Sequence, residues 1–140
     1  MYRHASALWE TYTDTEKVSW ICETVMKMEV VSEHEDLRRC RTGNMGPWFA
    51  IYGGQIIFRS PEGTSRSWDP LNNASDAIEA EKIFTNSNEE VQEKYTTALT
   101  MLLQIEDWKL TPTAILKLTQ APGGIRAEAM FMAVNQTYES

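Results

Sequence analysis

Apolar and polar positions alternate along the chain with two distinct periods. In "TDTEKVSWICETVMKM", Val18, Ile21, Cys22, Val25 and Met26 recur at helical spacing, which predicts one buried stripe on a helix from about Asp14 to Met28. Thr13 followed by Glu16 forms a capping box at its start. "EVV" can open a short strand, and a polar connection punctuated by Gly43, Gly46 and Pro47 follows. The period then changes. "WFAIY" and "QIIFR" are short apolar runs joined by Gly53-Gly54, which suits a primed hairpin turn. "PEG" makes the next turn and "TSRSW" a third strand.

Helical spacing returns in "DPLNNASDAIEAEKIF". Asn72 or Asn73 caps this helix, Asp76 and Glu79 suit its positive end, and Ala74, Ala77, Ile78 and Phe84 face a core. Ser87 and Glu90 form a second capping box, after which Val91, Tyr95, Ala98, Leu99 and Leu102 repeat at helical intervals. Thr96, Thr97 and Thr100 pull this stretch toward strand. Pro112 precedes "TAILKLT", which reads as a buried strand. "GGIRAEAMFMAVNQ" closes the pattern as a helix at 123–135, nearly apolar all round from Ala127 and therefore buried. These elements predict an α/β (α+β) chain: a compact α-β-α sandwich with a mostly antiparallel sheet, covered mainly by helices 14–28 and 123–135.

With 140 residues, the chain is read as one domain over 1–140. No apolar run approaches the roughly 20 residues that span a bilayer. The opening "MYRHASALWETYTD" lacks a basic stretch leading into an apolar core, so no signal peptide is expected and a cytosolic location is. Cys22 and Cys40 are too few for a disulfide scaffold. His4 and His34 stand far apart without a cysteine at ligand spacing, so neither a metal nor a cofactor is expected.

Net charge is −7, which argues against nonspecific nucleic-acid binding. Its distribution is uneven. Residues 1–36 carry three basic and eight acidic side chains, 69–140 carry five and eleven, but 37–68 carry five and one. The five basic residues of the middle segment are Arg38, Arg39, Arg41, Arg59 and Arg66, interleaved with Trp48, Phe49, Tyr52, Phe58 and Trp68. Two readings stand. Arginine forks and aromatic planes suit a small anionic ligand with a ring; alternatively the aromatics pack inward and the arginines face water. Arg59 and Arg66 flank "SPEGTS", so a hairpin brings them close on neighbouring strands, with Trp68 on the face of Arg66. "APGGIRAEA" poses a similar pair of readings. A glycine pair before a helix exposes N–H groups to an anion, with Arg126 adding a fork, or the loop simply enters a core helix. It lacks the lysine and serine or threonine of a P-loop. Glu79, Glu81, Glu89, Glu90 and Glu93 read as a solvated helical face, and no catalytic motif appears, so a non-catalytic protein is expected.

Three blocks, "ICETVMKMEVV", "SWDPLNNASDAIEAEK" and "APGGIRAEAMFMAV", together resemble the phage ABA sandwich domain, a family of small proteins of unknown activity encoded by tailed bacteriophages and prophages. The first block departs from the family in carrying Lys27 and Met28 where glycine and tryptophan are usual. The resemblance implies helix, sheet and helix layers, an inserted helix at 85–106, and residues 121–126 as the entry to the last core helix. It supplies no catalytic residues. Its implied setting is the host cytosol. Two functions follow as expectations. One is a homo-oligomeric sponge that sequesters a nucleotide-type immune signal, its ligand held by Arg59, Arg66, Trp68, Arg38, Arg39, Arg41, Trp48 and Arg126. The other is a module that binds and inhibits a host or phage protein, its acidic flanks docking a basic partner.

Overall fold

Thr13 starts the first predicted helix as a capping box does: its hydroxyl accepts from the Glu16 N–H, and Glu16 reaches back to the Thr13 N–H at 2.9 Å. A computed structural model describes residues 3–42, 47–60, 62–86, 88–105 and 111–135. The elements are α1 (Arg3–Thr11), α2 (Asp14–Trp20) continued by a π-helical turn (Ile21–Val25), β1 (Val30–Val31), α3 (Glu33–Thr42), β2 (Trp48–Tyr52), β3 (Gln55–Arg59) and β4 (Ser65–Trp68). Four helices follow: α4 (Ala74–Thr85), α5 (Glu89–Leu102), α6 (Pro112–Thr119) and α7 (Gly123–Asn135). They form two compact units, one of residues 13–69 and one of residues 1–12 with 70–140.

The first unit holds the sheet, ordered β1-β2-β3-β4. β1 pairs with β2 in parallel, and the other two pairings are antiparallel. Gly53 and Gly54 both have positive φ, 56° and 87°, the backbone that a primed two-residue turn requires. That turn fixes Tyr52 opposite Gln55 and so the register of the whole hairpin. One face carries Trp48, Ala50, Tyr52, Ile57 and Arg59, and α3 packs on it. The other carries Phe49, Ile56, Phe58, Arg66 and Trp68. Phe49 stacks within 5.5 Å of both Phe58 and Trp68. α2 lies against β3, Thr15 Oγ1 donates to the Gly54 carbonyl, and Cys22 meets Trp68. Burial pushes the Cys22 thiol up, so it stays a protonated core group.

The sandwich layers are therefore helix, sheet and helix, but the second cover is α3, a segment expected as a polar connection. Its "EHEDLRRCRT" has mostly charged residues and no apolar stripe, so periodicity is silent there. α7, expected on the sheet, packs chiefly on α5, α4 and α1 in the helical unit. Within it Ala127, Ala129, Met130, Phe131, Met132 and Ala133 are buried, and Phe131 meets Trp9 at 4.9 Å and Tyr12 at 5.5 Å. α5 is helical, as expected of 85–106, despite its threonines. Asn88 caps α5 through the Val91 N–H; Ser87, the expected cap, lies outside the described residues, as do Gly43, Gly46, Pro61 and residues 106–110.

"TAILKLT" is a helix, not a strand. Thr111 accepts from the Ala114 N–H and Pro112 occupies the first turn. Proline at that position loses no hydrogen bond and presets φ, while alanine, leucine and lysine favour helix. A short apolar run cannot separate the two states by period alone; the cap decides.

Candidate functional site

In the sheet unit, the arginine-rich segment is tied to carboxylates. Asp36 on α3 is fully buried and sits over the face formed by Trp48, Tyr52 and Arg59. Its Oδ1 accepts from the Trp48 indole at 2.7 Å and Arg59 Nε at 3.2 Å. Its Oδ2 accepts from Arg59 Nη2 at 2.9 Å and from the Tyr52 hydroxyl. Burial opposes the charge on Asp36, but the Arg59 fork, Tyr52 and Trp48 outweigh it and hold the carboxyl below its usual range. The same bonds raise Tyr52 and Arg59. On the outer side of α3, Arg38 grips Glu35 at 2.6 Å, and Arg39 bridges Glu35 at 3.2 Å and Glu29 at 2.6 Å. Hydrogen bonds from Arg38 and Arg39 lower Glu35 to about 2. Arg39 also lies over the Trp48 ring, and Arg41 is exposed in the last turn of α3.

Two expectations for this segment need correction. Arg59 and Arg66 do not oppose each other. The register places Arg59 opposite Ser65 and Arg66 opposite Phe58, so successive-residue alternation puts the two arginines on opposite faces. Arg66 and Trp68 do share a face, and Arg66 covers both the Phe58 ring at 5.5 Å and the Trp68 ring at 5.3 Å. Trp68, however, is 2% exposed, a core residue with no accessible ring for a ligand base. Trp48 is likewise buried, its N–H committed to Asp36.

The glycine pair of the 121–126 loop has a packing explanation. A Cβ on Gly123 would stand 2.1 Å from the Pro70 carbonyl oxygen and 3.2 Å from Ala77 Cβ. The start of α7 thus runs against the backbone before α4, where only glycine fits. Arg126 turns away from any open anion cradle: its Nε donates to the Ala121 carbonyl at 3.1 Å and its Nη2 to the Leu118 and Thr119 carbonyls at 3.0 and 3.3 Å. Its Nη1 pairs with Glu81. The guanidinium closes the C-terminal end of α6, whose last carbonyls have no helical partners.

Around this arginine the helical unit opens a shallow surface cleft of about 590 Å³. α4 contributes Ile78, Glu81 and Thr85; α5 contributes Gln92, Tyr95, Thr96 and Leu99; Leu118, Thr119 and Arg126 complete it. Tyr95 is buried, its hydroxyl donating to Glu81 Oε2, the oxygen that Arg126 also holds. Burial, then the hydrogen bond to Glu81, push Tyr95 well above its ordinary value, so it remains a donor at neutral pH. Glu81, expected on a solvated face, is mostly buried, its side chain 21% exposed. The sequence did carry a signal. Ala77, Glu81 and Phe84 fall at i, i+4 and i+7, so Glu81 lies on the buried stripe of α4. Nothing comparable marks Asp36, because α3 lacks such a stripe.

No family model, curated protein or solved structure matches this chain. No helix among the described residues is long and apolar enough to cross a membrane. The class defined by fold and geometry is a small α+β protein with a three-layer sheet unit and a helical unit carrying a cleft.

Proposed function

We propose that this chain is a non-catalytic protein-interaction module whose acidic helical unit docks a basic segment of a partner protein and thereby inhibits it. One observation carries this reading over the nucleotide sponge. Of the six arginines offered for a phosphate ligand, Arg38, Arg39, Arg59 and Arg126 are each bound by a carboxylate of their own unit, so most of the cations that such a ligand needs are engaged elsewhere. A phosphate competing for Arg59 would leave the buried Asp36 charge unpaired, which costs several kcal/mol. Residues 69–140 carry eleven acidic and five basic side chains, and a net acidic field steers basic partners. The resemblance to phage proteins makes a bacterial host's cytosol the setting and a host or phage protein the partner.

The test is a titration of the chain with a lysine-and-leucine peptide and its glutamate counterpart, run beside a thermal-shift panel of cyclic dinucleotides, cyclic oligonucleotides and ADP-ribose. The basic peptide should bind with an affinity that falls as salt rises, and the acidic one should not. A nucleotide at 100 times its Kd would stabilise by about 2.7 kcal/mol. Such a shift, without peptide binding, would replace this reading with sequestration.

A further inference from the structure

We propose, resting on the interaction-module reading, that the cleft between α4, α5 and α6 is a receptor for a primary ammonium, supplied by a lysine side chain on the partner's basic segment. The argument starts from which oxygen atoms remain open. Glu81 Oε2 is taken by both Tyr95 and Arg126, while Oε1 has no partner among the described residues. Gln92 gives its amide nitrogen to the Thr85 carbonyl at 2.7 Å, which leaves its side-chain oxygen as an acceptor. The Thr96 hydroxyl lines the same cleft. The cation present, Arg126, spends its donors on Glu81 and on three backbone carbonyls. The cleft therefore offers acceptors and little to an anion.

Among donors, the ammonium fits best. A guanidinium fork seeks two oxygens of one carboxylate, and Glu81 has one of its two committed. An ammonium is a compact charge with three rotatable donors, and separate acceptors such as Glu81 Oε1, Gln92 and Thr96 suit it. The aliphatic stem of lysine needs apolar walls, which Ile78, Leu99 and Leu118 provide. Beyond the cleft lining, the same helices carry the exposed carboxylates Glu89, Glu90 and Glu93 on α5 and Glu79 on α4, against Lys82, Lys94 and Lys117, with Glu90 paired to Lys94 at 3.2 Å. These side chains thus carry a one-charge acidic excess around the cleft's own Glu81–Arg126 pair.

The probe is Nα-acetyl-lysine methylamide, added to the full chain and followed by amide chemical shifts. A fragment of this size should bind with a Kd on the order of 1 mM, shifting amides of α4 and α5 around Glu81 and Tyr95 and weakening with salt. The Nε-acetylated and norleucine analogues should leave those amides still. Ile78→Lys, at an exposed position one helical turn from Glu81, should seat its own ammonium in the cleft and abolish the response, while Ile83→Lys should not. Thr96→Lys is a second, exposed blocking variant should Ile78→Lys fail to fold. Equal shifts from the norleucine analogue, no response to the lysine probe, or unchanged binding by a folded blocking variant would overturn the assignment. If the basic peptide of the preceding section binds but ignores both blocking variants, the cleft falls and the interaction reading stands. If that peptide does not bind at all, both fall.

Discussion

Replacing Asp36 by alanine should cost about 3–5 kcal/mol, the penalty for breaking a buried, hydrogen-bonded ion pair by removing one partner. The magnitude can be built from the groups left behind. The Trp48 indole N–H is buried on the sheet, and an orphaned buried donor costs about 1–3 kcal/mol. Arg59 is 25% exposed, so its guanidinium recovers part of its hydration and contributes less than a fully buried charge would. The Tyr52 hydroxyl, partly buried, adds a smaller amount. The loss also removes what pins α3 to the sheet, since Asp36 is the buried residue of that helix. Thermal melts should therefore show a drop on the order of 10 °C, and the urea midpoint should fall in parallel. Pairing Asp36→Ala with Arg59→Met in a double-mutant cycle isolates the ion pair: the double variant should be more stable than the sum of the single losses predicts. A single variant melting within about 2 °C of the parent, or a cycle with no coupling, would refute the view that Arg59 is held as a structural partner.

Three further outcomes follow from local geometry. Lys27 ends the π turn at φ 56°, a left-handed conformation costing a side-chain-bearing residue about 1–2 kcal/mol; after glycine's larger unfolded-state entropy, Lys27→Gly should raise stability by about 0.5–1 kcal/mol in a urea melt, and a lowered midpoint would contradict the strain. Acid should destabilise the protein in a window set by Asp36 and Glu35, whose folded values lie below their unfolded ones near 4: the stability they contribute is complete above that value and is lost as pH falls through the folded values, toward about 2 for Glu35. Asp36→Asn should flatten this acid limb, and an unchanged slope would assign it to other carboxylates. Gly123→Ala should cost about 3 kcal/mol by overpacking against the Pro70 carbonyl, whereas Gly124→Ala, whose Cβ would have only the Leu71 oxygen at 4.0 Å, should be neutral or mildly stabilising in the same melts.

What the sequence revealed follows the physics of each segment. Elements with an apolar stripe and a cap were legible: α2 through Thr13 and Val18–Val25, the β2–β3 hairpin through Gly53-Gly54, α4 through Asn73, and α7 through its apolar surface. α3 was not, because a helix that buries a single aspartate leaves no hydrophobic period. α6 was misread because "TAILKLT" satisfies either period and Thr111-Pro112 was the better guide. Of the candidate site, residue types were legible but their partners were not. Arginine and aromatic enrichment in 37–68 is real, yet Asp36 and Glu35, which neutralise Arg59, Arg38 and Arg39, lie just outside that window. Cutting the chain by charge separated each cation from the anion that folding returns to it.

The two units use the same device in different settings. Each joins a carboxylate, a tyrosine and an arginine: Asp36 with Tyr52 and Arg59, Glu81 with Tyr95 and Arg126. Around Asp36, four donors load both oxygens and the carboxylate is inaccessible. Nothing remains to recognise a ligand, so that cluster fixes α3 on the sheet. Around Glu81, the tyrosine and arginine converge on one oxygen, and the residue borders an open cleft. Holding one oxygen immobilises the carboxylate without consuming its second acceptor, and a positioned acceptor binds more tightly than a mobile one because less rotamer freedom is lost on contact. The Arg126 fork extends that rigidity to the end of α6, whose Leu118 and Thr119 carbonyls it grips and whose side chains form part of the same wall. In the proposed receptor, Arg126, a candidate anion ligand by residue type, supports a site for a cation.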